Sequence, residues 1–104
     1  MPGTVFQGTV GTSAVQATTF TALTSATTTG SGVKVFIVPA ASTDQTYYGF
    51  SSGVTTSNGC ACPNSAFFTI NPKEFPVNSA GQPDLTALYF VGSAASQKVT
   101  GVLL

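Results

Sequence analysis

Apolar residues are thinly scattered over the first third of the chain and gather into short runs after residue 32. Val33-Lys34-Val35-Phe36-Ile37-Val38 is β-branched and aromatic, and Pro39, which cannot donate to a ladder, ends it. Its near-continuous apolarity predicts a central strand covered on both faces. Gln45–Phe50 predicts a second strand, Ala66–Ile70 a third that closes at Asn71-Pro72, and Ala87–Val91 and Lys98–Leu103 two more. Thr56-Ser57-Asn58-Gly59 predicts a turn, because both residues of Asn-Gly tolerate positive φ and the pair is the strongest short hairpin signal. Gly92–Gln97 fits a hairpin loop between the last two strands. Gly101, inside a strand, predicts a bulge or a close backbone approach. Phe75–Asp84 holds two prolines and a glycine and reads as a surface loop, with Asp84 placed to cap a single helical turn around Leu85 and Thr86.

No segment sustains a 3.6-residue period. Short strands at spacings of about 10–15 residues, punctuated by Gly, Pro and Asn, predict an all-β fold: a small antiparallel β-sandwich or barrel, jelly-roll-like. Residues 33–104 hold the strands of this core. Residues 1–32 carry only isolated apolar side chains, Val5, Phe6, Val10, Val15, Phe20 and Leu23, among Thr, Gly, Ala and Ser. They make either an extended N-terminal arm reaching onto a neighbour or edge strands followed by a long loop over Thr24–Gly32.

The chain has 104 residues, one domain's worth, enough to bury roughly 65% of its unfolded surface. Only three lysines and three carboxylates carry charge, and there is no arginine, histidine or tryptophan. Against these stand 17 threonines and 11 serines. Lys34, Lys73 and Lys98 form no basic stripe, so nucleic-acid binding is disfavoured. No apolar run approaches the roughly 20 residues of a membrane span, and no signal peptide opens the chain. An unprocessed chain made in a cytosol is the expectation. A formal net charge of zero leaves little repulsion between copies, which points to self-association.

The same composition leaves little chemistry to assign. Cys60 and Cys62 sit at i, i+2, on one face of a strand. A disulfide between them would close a strained ring, and two thiols alone cannot complete a tetrahedral zinc site. They read as two small buried hydrophobes, with a link or metal shared between copies as the alternative. Asp44, Glu74 and Asp84 fall in predicted loops, and no serine has a histidine to activate it. No catalytic residue, cofactor or metal is expected. Tyr47, Tyr48 and Phe50 lie in one strand, with Tyr48 and Phe50 on the same face. One ring set belongs to the core and the other to a contact with another subunit, or with a sugar beside Gln45. The candidate partner-interface residues are thus Val5, Phe6, Val10 and Phe20 of the N-terminal third, with Tyr47, Tyr48 and Phe50.

Tyr47-Tyr48-Gly49-Phe50, followed by Val54-Thr55-Thr56-Ser57-Asn58-Gly59 and then Phe68-Thr69-Ile70, resembles stretches of small virion proteins of tailed bacteriophages. The ending from Asp84-Leu85-Thr86-Ala87-Leu88-Tyr89 to Gln97-Lys98-Val99-Thr100 is similar to the close of β-rich capsid decoration (cement) proteins and of some fibre or tail proteins. The resemblance covers residues 33–104, and its motifs are structural. It implies a non-enzymatic virion protein, a homotrimer clamping major capsid protein subunits on the capsid surface, assembled in the bacterial host cytoplasm. A tail or fibre module binding host glycans is the alternative. Cys60-Ala61-Cys62-Pro63 departs from the pattern, where apolar residues such as Phe and Leu are expected, and leaves the role of the thiols open.

Overall fold

The computed structural model describes residues 3–20 and 31–104, which form two antiparallel sheets packed face to face. In chain order the strands are β1 (Val5–Val10), β2 (Val15–Gln16), β3 (Val33–Val38), β4 (Thr46–Gly49), β5 (Cys60–Cys62), β6 (Phe67–Ile70), β7 (Tyr89–Gly92) and β8 (Gln97–Leu103). The first sheet has the order β1-β8-β3-β6 and the second β2-β7-β4-β5. Single 3-10 turns at Ala17–Thr19, Pro72–Glu74 and Leu85–Ala87 join them. Asp84 caps the last of these, its carboxylate accepting from Thr86 N. The all-β sandwich is therefore the observed architecture.

Alternation along the strands sets which side chains enter the core. Val33, Val35 and Ile37 of β3 point inward with Val99 and Leu103 of β8, while Lys34, Phe36 and Val38 point out. β3 is central, lying between β8 and β6, but among the described residues only one of its faces is covered. The expectation of a strand buried on both sides is corrected here: no second layer packs on its outer face among the described residues.

The described part of the N-terminal third is built into the sandwich rather than extended from it. β1 pairs with β8 over its whole length, from Val5 opposite Val102 to Val10 opposite Gln97. β2 pairs with β7 in the other sheet. Phe6, Val10 and Phe20 are buried, and a column of rings crosses the core. Phe6 stacks on Phe20 at 6.2 Å between centroids, and Phe20 stacks on Phe90 of β7 at 5.9 Å. Phe20 thereby ties the first sheet to the second. Two glycines make room for the column: a Cβ at Gly8 would lie 2.5 Å from Cγ and Cε1 of Phe20, and one at Gly101 would meet the ring of Phe6. Gly101 is thus the predicted close approach and not a bulge, since the register runs through it unbroken on both sides.

Two predicted hairpins differ. Gly92–Gln97 carries the chain from β7 in the second sheet to β8 in the first, so it is a corner between sheets. Ser96, at φ 69°, makes that bend with a left-handed backbone. The side chain of Gln97 fixes it: Nε2 donates to Ala94 O, Ala95 O and Asp44 Oδ2, and Oε1 accepts from Ala40 N. Asn58-Gly59 lies at the end of a longer excursion between β4 and β5, which do pair, and neither residue has positive φ. Asn58 Oδ1 instead accepts from Thr55 N and holds the loop closed.

Candidate interaction surface

The register of the first sheet fixes what its outer face displays. One row runs Val5, Val102, Lys34, Thr69 across the four strands; the next runs Gln7, Thr100, Phe36, Phe67; the third runs Thr9, Lys98, Val38. Phe67 is 63% exposed, Val5 54% and Val38 45%, so the face carries most of the large apolar side chains left in solvent. Phe36 and Phe67 pack ring to ring at 4.9 Å, tilted by 57°. The ammonium of Lys34 stands 4.9 Å over the Phe67 ring, a cation–π contact. Val5, Lys34, Phe67, Thr100 and Val102 surround a shallow apolar depression of about 310 Å³. A second depression of about 360 Å³, lined by Gln7, Thr9, Val38, Lys98 and Thr100, adjoins it.

The outer face of the second sheet is treated differently by the chain itself. The excursion between β4 and β5 folds back over it, and Val54 takes the place of a side chain at Gly49, where a Cβ would lie 2.6 Å from Val54 Cγ2. Val91, on the same face as Tyr47, is consequently buried. One sheet is roofed by its own loop; the other is bare among the described residues. Exposed apolar side chains grouped beside a depression on one face are a feature that contact surfaces share.

Charge is distributed with the same asymmetry. Lys34 and Lys98 both stand on the bare face, and no side-chain carboxylate shares it. Each carboxylate is engaged elsewhere. Asp44 accepts from Gln97 Nε2 and Ala41 N. Glu74 accepts from Tyr48 Oη at 2.7 Å and from Asn71 N, closing a capping box with Asn71. Asp84 accepts from Thr86 N and Oγ1.

The expected interface residues divide accordingly. Phe6, Val10, Phe20 and Tyr48 lie in the interior, so their assignment as partner contacts is corrected: the sandwich uses these side chains to join its sheets, and Phe50, partly buried, packs against them. Tyr48 contacts Phe50 edge-on at 6.0 Å and stacks on Phe68 at 6.1 Å. Burial, and then the bond to Glu74, push the Tyr48 phenol well above its usual value. Val5 is on the bare face, and Tyr47 is half-buried on the roofed one. Sequence reasoning passed over Phe67, Lys34 and Lys98. The signal was present in β3, whose apolar residues occupy both parities.

The thiols also part company. Cys62 is buried opposite Thr46, and burial, reinforced by Cys60, pushes its thiol up to about 12. Cys60 is exposed on the edge strand β5, which corrects the expectation of two buried thiols; both are free. Among the described residues no group of three or more His, Cys, Asp or Glu side chains is placed to hold a metal.

No protein-family model matches the chain, and no match is found among curated proteins or solved structures.

Proposed function

We propose that this protein is a non-catalytic structural component of a larger assembly, docked through the outer face of its first sheet. The assembly we propose is the head of a tailed bacteriophage, where the protein decorates the capsid surface and clamps major capsid protein subunits, in groups of three copies. The observation that carries the docking reading is the bare face itself, with Phe67, Val5 and Val38 in solvent while the other sheet is roofed. The virion assignment rests on the resemblance of residues 33–104 to decoration proteins. A face with two charges among many uncharged groups has little to desolvate on contact. Many copies on one lattice make modest individual interfaces sufficient.

The glycan-binding alternative relies on Gln45 beside Tyr47 or Tyr48. Gln45 Nε2 is already donated to Thr46 O and Cys62 O, and Tyr48 is buried, so those groups are occupied within the fold.

Co-sedimentation of the purified protein with decoration-free phage capsids tests the proposal. Saturable binding that Phe67→Ser weakens is expected. Full binding by Phe67→Ser and Val5→Ser variants would move the docking surface elsewhere. Absence of any binding to capsids would remove the head assignment. Sedimentation equilibrium checks the trimer separately; a monomer at micromolar concentration would exclude it.

A further inference from the structure

We infer that the partner of the bare face is an extended protein segment that presents an apolar side chain between two carboxylates, with Lys34 and Lys98 selecting it. The inference rests on reading this face as the docking surface and adds the chemistry of what docks there.

The spacing comes from the register. Lys34 is opposite Val102 and Lys98 is opposite Val38, so the two lysines stand four residues apart along the strand direction on adjacent strands. At about 3.3 Å per residue this is roughly 13 Å. Between them, at the middle row, lie Phe36, Phe67 and Thr100. A partner strand packed roughly parallel to these strands shows the same side every second residue, and packed sheets keep their strands within about 30° of one another. Carboxylates at i and i+4 then reach the two lysines, the first drawing the Lys34 ammonium from its place over the Phe67 ring, and the residue at i+2 packs on the Phe36–Phe67 pair.

Charge also decides against the other occupants. A second copy docking by the same face would oppose lysines with lysines, because all three side-chain carboxylates are held in loop caps away from it. A nucleic acid needs several phosphate contacts from a basic stripe, and anionic lipid recruitment needs a larger basic cluster; Lys34 at the apolar depression and Lys98 at the one adjoining it supply neither. Acidic groups on an apolar protein strand match both properties of the face.

The probe is a backbone-cyclised β-hairpin whose exposed face carries Glu, Phe and Glu at i, i+2 and i+4, with a Lys, Phe, Lys hairpin as control. Each is titrated into the full-length, ¹⁵N-labelled protein. The Glu hairpin is expected to shift the amides of Lys34, Phe67 and Thr100, and to bind about tenfold more tightly than the Lys hairpin at low salt, with the difference shrinking as salt is added. Lys34→Glu with Lys98→Glu should invert the preference, and Lys34→Gln with Lys98→Gln should abolish it; the amide dispersion of each variant reports that it is folded. Equal binding of both hairpins, shifts on another face, or no binding of the Glu hairpin at millimolar concentration would overturn the inference. The capsid assay separates this from the reading beneath it. Capsid binding that needs Phe67 but comes with indifference between hairpins keeps the docking face and removes the acidic partner. Hairpin discrimination without capsid binding keeps the docking face and its acidic partner and removes the head assignment.

Discussion

The ring of Phe6 fills the space that a side chain on Gly101 would need: a Cβ there would stand 2.7 Å from Cε1 and 2.8 Å from Cε2. The two residues face each other across the β1–β8 ladder. Gly101→Ala must therefore push the ring off the strand and disturb the Phe6–Phe20–Phe90 column behind it. We expect a loss of about 1–3 kcal/mol by urea unfolding, the range for overpacking a core. Gly11→Ala is the control. Its Cβ would meet nothing nearer than Ala95 Cα at 3.9 Å, and stability should change by less than about 0.5 kcal/mol.

A chain cut before Val33 should not fold. It loses β1 from one sheet, β2 from the other, and the ring of Phe20 that joins them. Far-ultraviolet circular dichroism and amide dispersion should show an unfolded or aggregated fragment. Within the full chain, Phe20→Ala should cost about 3–5 kcal/mol. A truncated protein with the native spectrum would mean that the N-terminal strands are dispensable.

The strands legible in the sequence are those whose apolar residues cluster: β3, β4 and β6 fall within predicted segments, and β7 and β8 each overrun theirs by one residue, Gly92 and Gln97. β1 is harder to read because two of its three inward positions, Phe6 and Val10, are separated by Gly8, whose place in the core is taken by the ring of Phe20, twelve positions further along. No local pattern reports a non-local exchange of that kind. The corner at Gly92–Gln97 was read as a hairpin because turn residues mark a reversal without saying which sheet the chain re-enters. The bare face was the least legible. A strand apolar at both parities is what burial on two sides and a docking surface on one side have in common, and only the layer count distinguishes them.

Gln97 holds the corner through four hydrogen bonds from a fully buried side chain. Gln97→Leu keeps the volume and strands Ala40 N, Ala94 O, Ala95 O and the Asp44 carboxylate. At about 1 kcal/mol for each lost partner, the substitution should cost about 3–4 kcal/mol in chemical unfolding. A cost near zero would show that solvent or a rearranged loop satisfies those groups.

The thiols should react one at a time. Ellman's reagent should titrate Cys60 in the native protein and Cys62 only after denaturant, because Cys62 is buried and its thiol lies at about 12. A folded-state value raised above the unfolded one means that the native state keeps its proton where the unfolded state has lost it. Cys62 therefore contributes fully below about pH 9, and its contribution falls as the pH rises toward 12, at up to about 1.4 kcal/mol per pH unit. The raised phenol of Tyr48 acts in the same direction. Cys62→Ala should lose stability less steeply than the parent above pH 9 in unfolding titrations. Two rapidly reacting thiols in the native protein would contradict the burial.

The proposed docking face is tested most directly by the lysines themselves. Lys34 and Lys98 lie on it, whereas Lys73 sits in the Pro72–Glu74 turn outside the first sheet. Brief labelling with an amine-reactive reagent, read by peptide mass spectrometry, compares the purified protein with the protein bound to phage capsids, its proposed partner. The account predicts that all three lysines react in the purified protein, and that Lys34 and Lys98 are protected on the capsid while Lys73 still reacts. Protection of Lys73 with continued labelling of Lys34 and Lys98 would contradict it.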